Sequence, residues 1–278
     1  IKAQEKTMLK LVDKGKKTLF GKEHSFSEIK NYLDFKQRVP VRDYEKLKNY
    51  IDKIINGETN VLWPGKPIYF CKTSGTTSGT KYIPISKESM PNHIRAARDA
   101  ILSYIAETKN TSIVAGKMIF LQGSPKLSLS GDILTGRLSG IVAHHIPSYL
   151  KKNRLPSFEV NCIENWESKV DAIVEETISE KMSVISGIPP WVQMYFEKLK
   201  KRSGLLIKDL FPTFSLFIHG GVNYDPYEKS FVNLIGKKLD SLELYPASEG
   251  FIAYQDSQKE PGMLLCVNHG IFFEFIPA

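Results

Sequence analysis

Hydrophobic side chains recur at helical spacing through the first part of the chain. In residues 5–20, and again after Asp43, apolar positions return every three or four residues, which places them on one helix face. Asp43 is typical of a helix N-cap and Gly57 of a helix end. Ser25–Glu28 has the spacing of a capping box and predicts another helix start. Residues 1–60 are therefore predicted to form an N-terminal helical segment packed on the main domain.

Beyond that segment, short β-type runs alternate with amphipathic helices. Strands are predicted at 67–72, 81–86, 117–123, 182–187, 214–221 and 241–250, with three more strand-like runs in 251–276. Helices are predicted at 89–108, 165–180 and 226–237, and after Pro189–Pro190. This alternation predicts an α/β domain over residues 61–278, with mixed sheets flanked by helices. Pro84 favours an edge strand or an irregular strand because proline cannot donate a ladder hydrogen bond.

Composition excludes several classes of protein. Of 278 residues, 42% are hydrophobic and 24% charged, which is ordinary for a globular protein. The three cysteines lie far apart and form neither a disulfide framework nor a zinc motif, so we expect a reducing, cytoplasmic location. No apolar run is long enough to span a bilayer, and no signal peptide pattern is visible. Because the chain begins at Ile1 and ends on an apolar run, we expect that more protein follows.

The net charge of +8 is concentrated near the N-terminus. Residues 1–55 carry 14 Lys and Arg against 8 Asp and Glu, whereas the rest of the chain carries 24 against 22. Such a segment is compatible with a nucleic-acid-binding or other basic surface. A solvated helical face is the interpretation that we favour for it, and Tyr44 and Tyr50 fit the apolar side of that helix.

The stretch Thr73–Lys81, TSGTTSGTK, concentrates glycines and hydroxyl groups beside one cation. Glycines allow backbone N–H groups to turn towards an anion, and the hydroxyls and Lys81 add donors. The spacing differs from a Walker A loop, and a strand rather than a helix follows. A flexible β-turn explains the same residues. The candidate polyanion-binding residues are Thr73, Ser74, Gly75, Thr76, Thr77, Ser78, Gly79 and Lys81.

Two further loops follow predicted strands. His219–Gly221 ends in a glycine pair that permits close approach of a ligand to the backbone. Tyr245–Gly250 contains Ser248, a possible phosphate donor, and Glu249, a possible Mg²⁺ ligand. Open α/β sheets bind ligands at the carboxyl ends of their strands, so these loops are candidates for one site. His144–His145 are adjacent and predicted to point to opposite faces, which favours structural roles over a shared metal.

These three loops, in this order, resemble those of the adenylate-forming enzymes. The first motif is similar to Ser-Ser-Gly-Thr-Ser-x-Gly-x-x-Lys, with Thr73 in place of the first serine and Lys81 one position early. The second is similar to Tyr-x-x-Ser-Glu, at Tyr245, Ser248 and Glu249. Within that superfamily the chain resembles bacterial members of the auxin-responsive acyl-acid amido synthetase (Gretchen Hagen) family. The likeness covers essentially the whole chain.

The resemblance implies a ligase that uses ATP and Mg²⁺ to join a carboxylic acid to an amine or amino acid through an acyl-adenylate. It places the hydroxyl-rich loop on the β- and γ-phosphates, Gly220 and Gly221 beside adenine, and Tyr245 against the base. Ser248 would contact the α-phosphate, Glu249 would hold Mg²⁺, and Lys81 would supply charge.

The resemblance further implies a large N-terminal domain, with the small C-terminal domain absent from this sequence. No nucleic acid or membrane partner is expected. Candidates for the acyl pocket are Thr135, Arg137 and Trp191, although a surface role for Arg137 and a core role for Trp191 explain those residues too. A non-catalytic scaffold that keeps the fold, or a basic binding module, remains an alternative.

Overall fold

The computed structural model describes residues 2–74 and 79–276. Four residues of the predicted polyanion-binding loop, Gly75, Thr76, Thr77 and Ser78, lie outside the described part. Within that part, no helix is long and apolar enough to cross a membrane.

The N-terminal segment is helical, but its boundaries differ from two predictions. Its helices are α1 (Lys2–Gly15), α2 (Leu19–Glu23), α3 (Tyr32–Arg38) and α4 (Tyr44–Ile55). The predicted helix over 5–20 is interrupted after Gly15, and Thr18 starts α2 by accepting from the Gly21 amide at 3.0 Å. The capping-box prediction is wrong: Ser25 has φ +50° and makes no capping hydrogen bond, and only one 3₁₀ turn follows. Asp43 caps α4 as predicted, accepting from the Lys46 amide at 3.0 Å.

The remaining elements alternate largely as the sequence predicts. From residue 69 to residue 151 they are β1 (Tyr69–Ser74), β2 (Thr80–Ile85), α5 (Met90–Thr108), β3 (Lys117–Phe120), β4 (Ser128–Ser130), β5 (Ile133–Gly136), α6 (Leu138–Ala143) and α7 (Ser148–Lys151). From residue 154 onwards they are β6 (Arg154–Leu155), α8 (Phe158–Asn161), α9 (Trp166–Thr177), β7 (Met182–Ser186), α10 (Pro189–Ser203), α11 (Ile207–Leu210), β8 (Leu216–His219), α12 (Asp225–Ile235), β9 (Asp240–Pro246), β10 (Phe251–Tyr254) and β11 (Leu264–Leu265).

The strands form two mixed sheets, so the predicted fold class is confirmed. The smaller sheet has the order β2-β1-β5-β4, and β2, which contains Pro84, lies at its edge. The larger sheet has the order β11-β10-β9-β8-β7-β3-β6. In the larger sheet β6, β3, β7, β8 and β9 run parallel, while β10 and β11 continue it antiparallel. The carboxyl ends of five strands therefore lie along one edge.

The larger sheet is buried on both faces by helices. Leu216 and Ile218 of β8 pack with residues of α5 in one core cluster. Phe217, between them, packs with α10 and α12 in another. This alternation follows from the two-residue period of a strand. In β8 the apolar residues therefore face both layers, and the polar His219 lies at the carboxyl end of the strand, where the loop begins.

The final run of the chain is not the strand that its pattern predicts. Within the described residues, 266–276 contain no strand. Phe272 packs against Phe35 of α3, while Phe275 is 80% exposed. The Phe273 amide donates to Gln4 of α1 at 2.8 Å rather than to a neighbouring strand. The run is therefore held by side chains of the N-terminal helices. The boundary at residue 60 between two units stays a prediction.

Candidate functional site

The hydroxyl-rich stretch connects two antiparallel strands. Strands β1 and β2 pair from Tyr69↔Ile85 to Ser74↔Thr80, so the two strands that flank the stretch are paired; the predicted turn between them lies outside the described residues. Thr73 is half-buried in β1, and Gly79 has φ +82°, a backbone conformation that favours glycine. Thr73 and Gly79 thus lie at the ends of two paired strands.

Lys81 lies beside helix α4. Its ammonium is 5.4 Å from the centroid of the Tyr44 ring, within the range of a cation–π contact. The neighbouring Tyr82 amide donates to the Tyr44 hydroxyl at 2.9 Å. In this structure Lys81 therefore contacts the N-terminal helical segment, and its role as a phosphate partner stays a prediction.

The glycine pair lies directly after β8, where both glycines are required by the backbone. A Cβ on Gly220 would lie 2.1 Å from the carbonyl oxygen of Leu244, whereas one on Gly221 would meet nothing within 4 Å. Gly221 has φ +76°, which L-residues rarely adopt. Gly220 thus lets β8 approach β9 just before Tyr245, and Gly221 turns the chain away from the sheet.

The turn after β9 contacts the smaller sheet. Ala247 and Gly250 exchange backbone hydrogen bonds at 2.9 and 3.2 Å, which closes the turn. The hydroxyl oxygen of Ser248 lies 3.0 Å from the Cys71 sulfur in β1. Burial raises the pKa of the Cys71 thiol, so the contact is a neutral hydrogen bond. Tyr245 is 52% exposed. The two motifs are therefore neighbours in space although they are distant in sequence.

The structure consequently brings together the end of β8, the turn after β9 and the strand that leads into the hydroxyl-rich loop. Gly220 is against Leu244, and Ser248 is against Cys71, three residues before Ser74. The sequence did not point to Cys71, because a cysteine inside an apolar strand has no local signal. The loop residues 75–78 themselves are outside the described part.

Ser248 and Glu249 also line a cavity of about 450 Å³ bounded by α1, which we call the α1 cavity. It contains Trp63, and its cations are Lys10, Lys14 and Arg95. Neither Gly220, Gly221 nor Tyr245 lines it, so the cavity extends from the Ser248 turn towards the N-terminal helix. The sequence carried a weak signal for it: Lys10 and Lys14 are four apart and share a helix face.

The chemistry of Glu249 fits a magnesium ion that is shared with a bound phosphate. The described residues contain no group of three or more His, Cys, Asp or Glu side chains placed to hold a metal. Mg²⁺ is commonly bound by one or two carboxylates together with substrate phosphates and water. One exposed carboxylate beside a hydroxyl-bearing turn is compatible with that mode of binding.

The three candidates for the acyl pocket have different environments. Thr135 is buried in β5, and its hydroxyl donates to the Ile133 carbonyl at 3.1 Å. Arg137 is exposed, and a Cβ on Gly123 would lie 3.2 Å from its Cδ. Trp191 stacks on Trp166 with 4.1 Å between ring centroids, which supports the core interpretation. Their roles in substrate binding stay predictions.

The histidines make structural contacts. His144 is within hydrogen-bond distance of the Pro125 carbonyl, at 2.9 Å, and His145 of the Tyr69 hydroxyl, at 3.0 Å. These separate partners support the interpretation that the pair does not share an ion. His219 is buried at the end of β8 beside Tyr224, and burial lowers its pKa to about 4.

Comparison with known sequences identifies the family. The profile of the GH3 family N-terminal domain matches residues 1–155, more than half of the chain. The chain belongs to the GH3 family. A curated GH3 relative, the jasmonoyl–L-amino acid synthetase JAR4 of Nicotiana attenuata, is 27% identical over 138 residues, which cover 49% of this chain and 23% of the relative.

Solved structures share the fold. The GH3.15 acyl acid amido synthetase superposes with a TM-score of 0.75 at 11% identity, covering 96% of this chain and 57% of that one. An open conformation of 2-hydroxyisobutyryl-CoA ligase, in complex with 2-HIB-AMP and CoA, gives 0.60 at 13% identity, covering 93% and 57%. At these identities the likeness concerns the fold. The GH3 chain described here spans less than two thirds of the length of each of these relatives.

Proposed function

We propose that this GH3 protein is an ATP-dependent ligase that activates a carboxylic acid as an acyl-adenylate and transfers the acyl group to an amine. Family membership and the fold support the proposal. The single observation that carries it is the contact between Ser248 and Cys71. That contact places the Ser-Glu turn against the strand that leads into the hydroxyl-rich loop.

In the first half-reaction a carboxylate oxygen attacks the α-phosphorus of ATP, and pyrophosphate leaves. The barrier includes the repulsion between two anions, so donors aimed at the phosphates are needed. In the proposed site the hydroxyl of Ser248, which is held in a short turn, donates to the α-phosphate. Thr73, Ser74 and the loop that follows supply donors for the β- and γ-phosphates. Gly221, where a Cβ would meet nothing within 4 Å, leaves room for a flat base, with Gly220 and Tyr245 beside it.

Magnesium, when bound with ATP, neutralises phosphate charge. Among the proposed site residues, Glu249 is the carboxylate that would hold the magnesium ion.

In the second half-reaction an amine attacks the acyl carbon and loses a proton, and AMP leaves. Arg137 is the candidate partner for a substrate carboxylate, because it is exposed at the start of α6.

The unpaired cysteines Cys71, Cys162 and Cys266 support a reducing, cytoplasmic location.

A non-catalytic scaffold with the same fold is the alternative. Exchange of labelled pyrophosphate into ATP, measured with a panel of carboxylic acids, separates the two. We expect acid-dependent exchange by the full-length protein. The absence of exchange with any acid of a broad panel would favour the scaffold, and exchange that does not depend on the acid would contradict formation of an acyl-adenylate.

Glu249→Gln tests the assignment of the metal ligand. We expect pyrophosphate exchange to fall about 100-fold, which corresponds to about 2.7 kcal/mol of transition-state stabilisation, with an unchanged unfolding midpoint. Glu260→Gln, which removes an exposed carboxylate elsewhere, is the matched control and should exchange normally. Normal turnover by Glu249→Gln would show that another group holds the metal.

A further inference from the structure

A second cavity lies at the carboxyl ends of β3 and β6. It has a volume of about 320 Å³, and we call it the β6 cavity. The side chains that matter for its chemistry are Gln122, His144, Lys151, Arg154, Ser157 and Asn161. None of the candidate nucleotide-binding residues lines it.

Arg154 brings a guanidinium to this cavity without a counter-charge. The group lies 5.0 Å from the centroid of the Phe120 ring. Its Nε is buried and has no hydrogen-bond partner among the described residues, and no carboxylate of that part of the chain forms a salt bridge with it. Burial lowers the pKa of Arg154, with no opposing charge contribution. A half-buried cation without a partner is costly unless an anion completes the site.

Lys169 adds a second buried cation behind the cavity wall. It is 2% exposed, and its ammonium donates to the carbonyls of Gln122 at 2.9 Å and Asn161 at 2.6 Å. Both partners are neutral, so the positive charge is not compensated by them. Desolvation lowers the Lys169 pKa. The Lys169 ammonium holds two of the wall segments in place and contributes a positive potential.

Glu176 is a carboxylate that contacts a wall residue of the cavity, and it bonds to Ser157 rather than to Arg154. Glu176 accepts from the Ser157 amide at 2.8 Å and from the Ser157 hydroxyl at 3.3 Å. Two more polar atoms, Gln122 Nε2 and Asn161 Oδ1, are buried and have no partner within the described residues. Buried polar groups are normally hydrogen-bonded. Three such atoms belong to side chains that line one cavity, so the wall of the cavity is polar.

We propose that the β6 cavity binds the anionic group of a small metabolite, a carboxylate or a phosphate, with Arg154 and Lys151 as its cationic partners and Gln122 as a neutral donor. Its volume is that of a small-molecule site. Arginine offers a planar pair of donors that matches both anions. The site is separate from the nucleotide site, and its occupancy requires no turnover, so it does not depend on the proposed ligase reaction.

Titration calorimetry at constant ionic strength tests the proposal, with malonate and inorganic phosphate as separate probes and chloride as the ionic control. We expect saturable binding of one probe, and the probe that binds identifies the class of anion. Arg154→Gln and Lys151→Gln should each weaken that binding at least tenfold. Arg202→Gln, which alters an exposed arginine paired with Glu175, should leave it unchanged.

Saturating AMP should not displace the probe. Displacement by AMP would place the anion in the nucleotide site and overturn the proposal, as would the absence of saturable binding by either probe. Wild-type affinity in Arg154→Gln would show that the probe binds outside the β6 cavity and would overturn the proposal. If Arg154→Gln does not fold, Lys151→Gln decides, because Lys151 is exposed.

Discussion

Gly220 and Gly221 are the same residue type, but glycine is required at the two positions for different physical reasons. At Gly220 there is no space, since the Leu244 carbonyl occupies the place of a Cβ. At Gly221 there is space, but the backbone has a positive φ. A pattern of two glycines predicts a loop with close approach, and it cannot distinguish these causes.

Alanine substitutions should separate them. Gly220→Ala forces β8 away from β9 and should lower the free energy of unfolding by about 1–3 kcal/mol or more, as overpacking does. Gly221→Ala introduces only backbone strain and should cost about 1–2 kcal/mol. Gly57→Ala, at φ +95° in open space, is the control for strain alone and should match Gly221→Ala. Urea unfolding measures all three, and equal losses at residues 220 and 221 would contradict the steric explanation.

His219 should make stability depend on pH. Burial lowers its pKa to about 4, below the ordinary value of 6.5. Between pH 4 and pH 6.5 the folded state therefore binds fewer protons than the unfolded state. The free energy of unfolding should therefore fall as the pH is lowered from 6.5 to 4, by at most about 1.4 kcal/mol per pH unit.

Replacing His219 by phenylalanine removes this titration. We expect the slope of unfolding free energy against pH to become shallower between pH 6.5 and 4, as measured by urea unfolding at several pH values. His144→Phe changes an exposed histidine and should keep the wild-type slope. A wild-type slope in His219→Phe would show that other groups cause the acid sensitivity.

At the level of elements, the sequence predicted what is local and missed what depends on distant contacts. Asp43 caps α4 because its side chain and the Lys46 amide are three residues apart. The same reasoning failed at Ser25, where the chain adopts φ +50°. The apolar run 271–276 has the pattern of a strand, but no strand lies beside it in the described residues. The contact between Ser248 and Cys71, 177 positions apart, leaves no pattern in the sequence.

Asp43 and Ser25 both resemble helix N-caps in sequence, but replacing them should change the stability of the protein by different amounts. Asp43→Ala removes a capping hydrogen bond and should lower the free energy of unfolding by about 1 kcal/mol. Ser25→Ala should change it by less than about 0.5 kcal/mol, because the hydroxyl caps nothing and the backbone strain is the same for both residues. Denaturant unfolding provides the comparison. An equal loss at Ser25 would restore the capping-box interpretation.

For the whole molecule, the N-terminal helix and the last described residues are joined by one side chain. Gln4 donates to the carbonyls of Val267 at 2.7 Å and Ile271 at 2.9 Å, and it accepts from the Phe273 amide. A local pattern could not reveal this pairing, because a glutamine on a helix face looks like any other solvated residue. The family resemblance predicted the overall fold, but it did not predict the contacts of Gln4.

Gln4→Ala should release that link. We expect faster amide hydrogen exchange at Phe273 and a loss of about 1–2 kcal/mol in the free energy of unfolding. Gln193→Ala, which removes only a contact to Glu197 on the same helix, should leave exchange at residue 273 unchanged. Unaltered exchange in Gln4→Ala would mean that packing of Phe272 is sufficient to hold the segment.

The spacing between parallel strands of the larger sheet also sets the distance between the two proposed sites. Gly220 follows β8, Arg154 begins β6, and β7 and β3 lie between them. Neighbouring strands are about 4.8 Å apart, so three steps span about 14 Å along the rim. A nucleotide bound after β8 and an anion bound beside β6 would thus occupy neighbouring binding sites that do not overlap. Only an extended molecule, longer than a simple amino acid, would reach across both.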